Sequence, residues 1–466
     1  MPVDAPRHVP DLSTPRRVHV IAAGGTGMSA LATVLVEAGH RVTGSDAVDS
    51  AALRRLADLG VTVFVGHDAA HVGDAEFVVA STAVPADNPE VVEARERGLD
   101  VLRRLDLLPA LAQRQPFVSV SGTHGKTTTS ALLSVALTGA GEAPSFLVGA
   151  PVASLGTAAG FRSGRWFVLE ADESDASFLA GPRAAALVTN IEPDHLEFWG
   201  GWDELLAGFR TFLEQTDGPC IVCADDPEAR ALGELVGAAS YGEADDATHR
   251  VERLVLGPDR STFDLVSGDS ATVHVDVPLA GRHNALNVAG ALSVVRALGA
   301  DVDAAAAALA DFAGVSRRFE LVGSAAGVTV IDDYAHLPAE VAAVLAAGRS
   351  GGWDRVVAVF QPHRYSRTER HAAEFGPSFG DADVLVLCEL YPAGEAPRPG
   401  VDGSLVLESV TAAGRNDVVV WRPTLDDVVA FLTDELRSGD LLVTIGAGDV
   451  TTVGPRVLVG LRERSS

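Results

Sequence analysis

The stretch GTHGKTTT at residues 122–129 combines glycines, a lysine and threonine hydroxyls in an order that suits phosphate binding. It lies between an apolar run at 117–121 and a helical pattern at 127–138. A glycine-rich turn at the start of a helix binds anions, because backbone N–H groups and the helix dipole face the ligand. The lysine neutralises phosphate charge, and the following threonine hydroxyl can hold Mg²⁺. The stretch predicts a nucleotide-binding loop, although residue 120 is valine where the strict phosphate-loop spacing has glycine.

Lys126 is the single lysine of the chain, so the other 35 of its 36 basic residues are arginines. Such a preference for arginine, together with 47 glycines, is typical of a GC-rich genome. A lysine kept against that preference indicates a position that needs a compact ammonium group. The alternative is a chance strand–turn–helix that contains Gly-Lys, and it gives no reason for the only lysine to lie there.

Acidic side chains follow two further apolar runs. The sequence EADESD begins at Glu170, directly after the run at 166–169, and NIEPDH ends at His195, after the run at 185–189. Carboxylates at the ends of strands beside a phosphate loop are natural Mg²⁺ ligands. A solvated acidic loop is the alternative in so acidic a protein, and a lone histidine at a strand end is equally compatible with a surface residue.

A second glycine-rich turn lies near the start of the chain. Gly25-x-Gly27-x-x-Ala30 follows an apolar run at 18–23, and Asp46 comes about 20 residues later. This pattern resembles the dinucleotide fingerprint, in which the acidic residue binds the ribose. A helix start here could equally hold the pyrophosphate of another nucleotide, and Asp46 could be a turn residue. An NAD-dependent dehydrogenase is therefore one alternative, but it explains residues 18–46 and nothing after them.

Four groups of histidine and arginine lie in the second half of the chain, each at the end of a predicted element. They are His283 with Asn284, Arg317 with Arg318, the stretch DDYAH that ends at His336, and QPHRYSRT at 361–368, which contains His363 and Arg364. Each alone could be a solvated loop. Against a net charge of −27, local cationic groups at strand ends are better explained as contacts to anions.

The elements that must position these residues fall into three segments, which begin near residues 18, 117 and 328. In each segment, short apolar runs alternate with helical patterns, as in repeated strand–helix–strand units around a parallel sheet. Residues 250–277 alternate apolar and polar side chains instead, which is typical of antiparallel strands. The sequence predicts an α/β protein of three domains, in line with a length of 466 residues.

The composition excludes several classes of protein. With 47% hydrophobic residues, the chain is neither disordered nor fibrous, and a net charge of −27 disfavours nucleic acid and membrane surfaces. Three cysteines are too few for a disulfide framework, and the pair Cys220 and Cys223 is most simply explained as strand residues. No apolar run is long enough to span a membrane, and residues 1–17 lack the apolar core of a secretory signal. We expect a cytoplasmic protein.

Taken together, the motifs resemble the Mur ligase family from Val18 to about Asp449. The resemblance rests on VHVIAAGGTGMSALA, GSD, GTHGKTTT, EADESDASF, TNIEPDH, GRHNALNVAGA, GVSRRF, DDYAHLPAE, FQPHRYSRT, YPAGEAP and GAGD, in this order. It implies a flexible leader at 1–16, a Rossmann-like UDP-sugar domain at 17–114 and a central ATP domain at 115–316. The central domain is expected to resemble phosphate-loop ATPases with added antiparallel strands. A Rossmann-like domain at 317–466 would close over both ligands.

The resemblance further implies an ATP-dependent amide ligase of peptidoglycan precursor synthesis. The lactyl carboxylate of UDP-N-acetylmuramate would attack the γ-phosphate of ATP, and L-alanine would then attack the resulting acyl phosphate. A recycling ligase that adds a murein tripeptide to the same UDP-sugar shares most motifs and stays open. A folate polyglutamate ligase fits less well, since a UDP-type domain precedes the ATP loop, and so does a nucleotide sensor without catalysis. Monomer and homodimer both stay open.

The family pattern also assigns residues. ATP would be bound by Gly122, Thr123, His124, Gly125, Lys126, Thr127, Thr128, Asn284 and Arg318. The UDP-sugar would be bound by Gly24, Gly25, Thr26, Gly27, Met28, Ser29, Asp46 and Ser81. Catalysis would involve Lys126, Glu170, His195, Arg318, His336 and Arg364, with Mg²⁺ held by Thr127, Glu170 and His195.

Several departures from the family pattern stand out. Leu337 occupies the second position of a usual His-His-Pro, and Leu196–Trp199 reads LEFW where relatives have a sequence like MDTY. The first loop reads AAGG where GIGG is more usual. No lysine follows His195, so the carbamylated lysine of several sister ligases cannot form here.

Overall fold

A computed structural model describes residues 10–268 and 271–464 and contains three sheets flanked by helices. Contacts divide the chain into two compact units. Their described parts are residues 10–253, 263–268, 271–275 and 286–313 for the first unit, and 254–262, 276–285 and 314–464 for the second. Residues 1–9 of the predicted leader lie outside the described residues, and Leu12 is buried in the core of the first unit.

The first sheet has the strand order β3-β2-β1-β4-β5, and all its strand pairs are parallel. Its strands are β1 (Arg17–Ile21), β2 (Arg41–Asp46), β3 (Thr62–Val65), β4 (Phe77–Ala80) and β5 (Asp100–Leu102). Its helices are α1 (Thr26–Glu37), α2 (Ala51–Asp58), α3 (Pro89–Glu96) and α4 (Arg104–Arg114). The strand order reverses between β1 and β4, where the loop after β1 starts α1. Such a switch point is where open α/β sheets bind ligands.

The second sheet has ten strands in the order β15-β14-β13-β12-β11-β10-β6-β9-β7-β8. Its strands are β6 (Phe117–Ser121), β7 (Ser145–Val152), β8 (Thr157–Gly160), β9 (Phe167–Glu170), β10 (Arg183–Val188), β11 (Cys220–Cys223), β12 (Ala239–Gly242), β13 (His249–Leu256), β14 (Ser261–Val266) and β15 (Val273–Val277). The helices here are α5 (Lys126–Gly139), α6 (Leu196–Trp199), α7 (Trp202–Glu214), α8 (Pro227–Val236), α9 (Arg282–Ala297) and α10 (Val302–Leu309). The pair β7–β8 is antiparallel, so this sheet is mixed.

The third sheet belongs to the second unit and has the order β16-β17-β21-β18-β19-β20. Its strands are β16 (Glu320–Ala325), β17 (Val328–Asp333), β18 (Arg355–Phe360), β19 (Val384–Leu387), β20 (Val418–Trp421) and β21 (Asp440–Ile445). Its helices are α11 (Pro338–Ser350), α12 (Tyr365–Ser378), α13 (Ser404–Ala413), α14 (Leu425–Glu435) and α15 (Val453–Arg464). Only the edge pair β16–β17 is antiparallel among the described strand pairs of this sheet.

The central strands of the sheets are buried because helices cover both faces of the sheet. The strand β6 is buried along its whole length, and so are β4, β19 and β21. One core cluster joins the first sheet to Phe117, Leu147 and Phe167 of the second. This shared core explains why the first sheet and most of the second form one compact unit.

The predicted α/β fold class is confirmed, since the chain forms three largely parallel sheets with flanking helices. Five strands were not predicted from the sequence: β5, β7, β8, β12 and β16. Most of them lie at sheet edges or pair with short neighbours, so their residues show neither a long apolar run nor a strict alternation. Asp46, predicted as a ribose ligand or a turn residue, is the last residue of β2.

The described residues include no helix with the length and hydropathy needed to cross a membrane. Cys220 and Cys223 lie in β11 as free thiols, and burial raises the pKa of Cys223 to about 11. That environment agrees with the interpretation of both as strand residues.

Candidate active site

The predicted phosphate loop connects the buried strand β6 to α5. Gly122 and Gly125 both have positive φ, +132° and +79°. A Cβ at Gly122 would lie 2.1 Å from Oγ1 of Thr189, and a Cβ at Gly125 would lie 2.7 Å from Oδ1 of Asn287. Glycine is therefore required at both positions. The N-cap residue of α5 is Gly125, which has no side chain to cap the helix, so the first turn of α5 suits an anion.

Replacing Gly122 with alanine should unfold the loop, because strain at positive φ adds to the contact with Thr189. We expect the free energy of unfolding to fall by about 3 kcal/mol or more. The matched control is Gly141→Ala after α5, where φ is +81° but nothing lies within 4 Å of the added Cβ. That change should cost only about 1 kcal/mol. Thermal unfolding measures both, and equal shifts in Tm would contradict this description of the loop.

The segment after β10 braces the loop. The His124 N–H donates to Oδ1 of Asn190 at 2.8 Å, and Oγ1 of Thr189 donates to the His124 carbonyl at 2.6 Å. The N–H of Glu192 donates to Oγ1 of Thr123 at 2.8 Å. These contacts form because β6 and β10 are neighbours in the sheet, so their carboxyl ends meet at one edge. The predicted ATP residues Thr123 and His124 are thus held in place by the TNIEPDH motif.

Lys126 uses its ammonium group to bind the loop and a buried acid. Its Nζ donates to the carbonyls of Gly122 and Thr123 at 2.6 and 3.1 Å and to Oε1 of Glu173 at 3.0 Å. Burial alone would lower the pKa of Lys126, but the carboxylates of Glu173 and Asp172 raise it above its usual range. Burial raises the pKa of Glu173, and the Lys126 ammonium opposes that rise by stabilising the carboxylate. The site therefore keeps Lys126 protonated at neutral pH.

Thr127 and Glu170 form the predicted metal pair. Oγ1 of Thr127 donates to Oε1 of Glu170 at 2.8 Å, and the Gly149 N–H donates to its other oxygen. A hydroxyl and a carboxylate at one place fit the oxygen ligands of Mg²⁺. The described residues contain no group of three or more His, Cys, Asp or Glu side chains that could hold a metal ion. A cation here would therefore take its other ligands from water or substrate, as Mg²⁺ usually does.

His195 lies just before the short helix α6, with φ at +53°. Its Nε2 is 3.2 Å from Oδ2 of Asp194. Burial raises the pKa of Asp172, but Lys126, then hydrogen bonds from Ser174, and last the nearby His195 lower it below its usual range. His195 therefore lies near the acidic end of β9, but it does not touch the pair of Thr127 and Glu170 directly in any described contact.

The unusual segment LEFW forms α6 and supports the buried acid. The indole Nε1 of Trp199 donates to the carbonyl of Glu173 at 3.0 Å, and its ring packs edge-on against Phe178 at 5.8 Å. Glu173 lies in the acidic stretch EADESD, but only Glu170 of that stretch was predicted as a site residue. The signal for Glu173 was its place three residues later in the same acidic turn, and the burial of its side chain could not be foreseen.

The predicted UDP-sugar residues lie at the carboxyl edge of the first sheet. Asp46 Oδ2 accepts a hydrogen bond from the Gly24 N–H at 2.9 Å, so this carboxylate fixes the backbone of the loop. A Cβ at Gly24 would lie 2.8 Å from that same oxygen, so a larger residue there would push the Asp46 carboxylate aside. The remaining members follow β1 or β4 at this edge: Gly25, Thr26, Gly27, Met28 and Ser29 at the start of α1, and Ser81 after β4.

Two asparagines of α9 lie in different units. Asn284 belongs to the second unit, where its Nδ2 donates to the carbonyl of Ala280 at 2.8 Å. Asn287 belongs to the first unit and lies against Gly125 of the phosphate loop. Sequence reasoning chose Asn284 and missed Asn287. Asn287 lies in the same motif, GRHNALNVAGA, three residues after Asn284 and on the same helix, so its position could have indicated it.

A cationic and aromatic group lies in the second unit. The Arg318 guanidinium lies 5.2 Å from the ring of Tyr334, which meets His336 edge-on at 5.4 Å. Asp333 accepts hydrogen bonds from the N–H groups of Phe319 and Ala335, both at 2.7 Å, which ties these two segments together. Burial lowers the pKa of His336 to about 4, so its ring is uncharged at neutral pH.

A second histidine completes this group. His363 lies 6.1 Å from the ring of His336 and stacks on Tyr391 at 5.6 Å. Burial and then Arg367 lower the pKa of His363 to about 4. Arg364 has a φ of +70° directly before α12. The structure thus brings Arg318, His336 and Arg364 together at one edge of the third sheet. Leu337 is buried and begins α11, so it packs rather than offering a polar group.

Comparison with known proteins matches three family models along the chain. They are the Mur ligase family catalytic domain at residues 17–116, the Mur ligase middle domain at 120–295, and the Mur ligase glutamate ligase domain at 317–448.

Two curated relatives and one solved structure cover almost the whole chain. The UDP-N-acetylmuramate–L-alanine ligase of Kineococcus radiotolerans is 46% identical over 96% of this chain and 97% of its own. That of Thermobifida fusca is 42% identical over 96% of each chain. A UDP-N-acetylmuramate-alanine ligase structure from Thermotoga maritima matches with a TM-score of 0.82 and 26% identity, over 97% of this chain and 100% of its own.

Proposed function

This chain belongs to the Mur ligase family, and we propose that it joins L-alanine to the lactyl carboxylate of UDP-N-acetylmuramate at the expense of ATP. The observation that carries the proposal is the pairing of two oxygen ligands, Thr127 and Glu170, beside the only lysine of the chain at a phosphate loop. The relatives named for this activity match 96% of this chain, and the matched part includes both predicted nucleotide-binding loops.

In the first step, the lactyl carboxylate oxygen attacks the γ-phosphorus of ATP, and the bond to the β–γ bridging oxygen breaks. ADP leaves, and an acyl phosphate forms. The first N–H groups of α5 bind the phosphates, and Lys126 neutralises the charge that develops on the leaving oxygen. To do so, its ammonium must exchange one loop carbonyl, Gly122 or Thr123, for a phosphate oxygen, while Glu173 keeps the side chain in place.

Thr127 and Glu170 are the residues that would hold one Mg²⁺, and His195 would help to hold a second. The ion supplies positive charge to the phosphate oxygens when it is bound. Glu170 is prepared for this role because the Gly149 N–H fixes its second oxygen.

In the second step, the amino group of L-alanine attacks the acyl carbonyl carbon, and phosphate leaves. The attacking amine must be uncharged, and a neutral imidazole can accept a hydrogen bond from its N–H group. His336 is neutral at pH 7, since burial lowers its pKa to about 4. We assign His336 to the amine or its carboxylate, and Arg318 and Arg364 to anionic groups of the substrates.

The alternative of a tripeptide-adding recycling ligase needs a different amine at the same UDP-sugar. A dehydrogenase has no use for Lys126, Thr127 and Glu170, and Asp46 is engaged with the loop backbone of Gly24. The named relatives at more than 40% identity favour L-alanine. We also place the enzyme in the cytoplasm, where ATP and UDP-sugars are found.

The test is phosphate release by the full chain with UDP-N-acetylmuramate, ATP and Mg²⁺, as each amine is added in turn. We expect release to depend on all three substrates and to be stimulated by L-alanine. Stimulation by the diaminopimelate tripeptide but not by L-alanine would assign the recycling activity instead. Reduction of a nicotinamide by a hydroxy acid would overturn the ligase assignment altogether.

A further inference from the structure

Arg104 lies beside the UDP-sugar loop in the first unit and shares a cavity with Glu170. It is the first residue of α4, and a Cβ at Gly27, in the first turn of α1, would lie 3.1 Å from its Nη1. Its side chain also lines a small cavity with Leu169, Glu170 and Ala171 at the end of β9. The guanidinium therefore lies beside the UDP-sugar loop, and the Arg104 side chain shares a small cavity with the acid assigned to the metal.

The charge of Arg104 has no partner within residues 10–268 and 271–464. Its side chain is half-buried, and it forms no hydrogen bond or ion pair with a described residue. The neighbouring Arg103 is different, because its guanidinium binds Asp106 at 2.9 Å. An unpaired cation that loses part of its hydration is unfavourable, and a bound anion would remove that cost.

The helix dipoles make this position still less favourable for an isolated cation. Arg104 lies at the N-terminus of α4, where the helix carries partial positive charge. The contact with Gly27 places the same guanidinium beside the N-terminus of α1. Two positive helix ends and an unpaired arginine thus converge in a protein with a net charge of −27. Local conflicts of this kind are expected where a ligand completes the structure.

We propose that Arg104 binds an oxyanion of the nucleotide sugar and holds the lactyl arm toward Glu170. This role rests on the proposed function, and it adds a residue that links the two loops. The oxyanion is either the diphosphate beside α1 or the lactyl carboxylate on its way to the γ-phosphate. The carboxylate is planar and each phosphate is tetrahedral, and a guanidinium can bind two oxygens of either group through two N–H donors.

Calorimetry with the full chain can test the proposal with three ligands: UDP, UDP-N-acetylglucosamine, which lacks the lactyl group, and UDP-N-acetylmuramate. The variants are Arg104→Ala, Arg104→Lys and, as the control, Arg55→Ala. Arg55 is an exposed arginine on α2 of the same domain. We expect Arg104→Ala to weaken UDP-N-acetylmuramate binding by about 10- to 100-fold. Arg104→Lys should recover part of the loss, and Arg55→Ala should have no effect.

The three ligands identify the oxyanion. Equal losses for all of them assign Arg104 to the diphosphate, and a loss for UDP-N-acetylmuramate alone assigns it to the lactyl carboxylate. Unchanged ADP affinity and Tm show that the effect is not a loss of structure. The proposal is overturned if Arg104→Ala binds all three ligands like Arg55→Ala while the wild type turns over. If the wild type binds no UDP-N-acetylmuramate, that result contradicts the proposed function itself, and the role of Arg104 is contradicted with it.

Discussion

Lys126→Ala should lower the turnover number by about 100-fold or more while the affinity for UDP-N-acetylmuramate stays almost unchanged. The ammonium is the only lysine charge in the protein, and it donates to two carbonyls of the phosphate loop. The UDP-sugar loop follows β1 in the first sheet, whereas Lys126 follows β6 in the second. Steady-state phosphate release and calorimetry with the UDP-sugar measure the two effects separately.

This substitution also leaves Glu173 buried without its cation, which could destabilise the fold. Glu173 is 2% exposed, and removing one member of a buried ion pair can cost about 3–5 kcal/mol. The double variant Lys126→Ala with Glu173→Gln removes the orphaned charge and should restore Tm without restoring turnover. Recovery of turnover in the double variant would show that Lys126 acts only through stability. Loss of UDP-sugar binding in a folded variant would contradict the assignment of the two nucleotides to different sheets.

Glu170→Gln should lower turnover by about 100-fold and raise the Mg²⁺ concentration needed for half-maximal rate. The amide keeps the shape of the side chain, and its oxygen can still accept from Thr127 or from Gly149. It lacks the negative charge that a hard cation requires. Rates measured across a series of Mg²⁺ concentrations at saturating substrates give both quantities.

The control for this prediction is Glu204→Gln, which neutralises an exposed carboxylate on α7. It should leave both the rate and the Mg²⁺ requirement unchanged. ADP affinity measured without metal should also be almost the same in Glu170→Gln and in the wild type. A fall in turnover with an unchanged Mg²⁺ requirement would mean that Glu170 acts by supporting the loop at Gly149 and not by holding the cation.

Much of the fold could be predicted because its main signals are local. The strands β4, β6, β19 and β21 are buried on both faces, so their sequences are mainly apolar. The phosphate loop was also legible, since Gly122 and Gly125 occupy positive φ values that other residues rarely adopt. Edge strands such as β16 gave little signal, because their half-exposed residues resemble those of loops.

The candidate site was only partly predictable, since its residues come from distant parts of the chain. Lys126 and Glu173 are 47 positions apart, and Thr127 and Glu170 are 43 apart. Their meeting depends on β9 lying next to β6, and the sheet order is not the order of the strands in the chain. Asn287 reaches Gly125 for the same reason, through the packing of α9.

The sequence by itself determined the local chemistry of this protein: the glycines that permit the two loops, the single lysine and the carboxylates at strand ends. Backbone conformation and side-chain periodicity are short-range properties, so they can be read from neighbouring residues. Only the tertiary structure decided that Glu173 is the buried partner of Lys126 and that Arg104 lies unpaired between Gly27 and Glu170. Burial and charge pairing depend on which elements pack together, and that choice is made by the whole core rather than by any one segment.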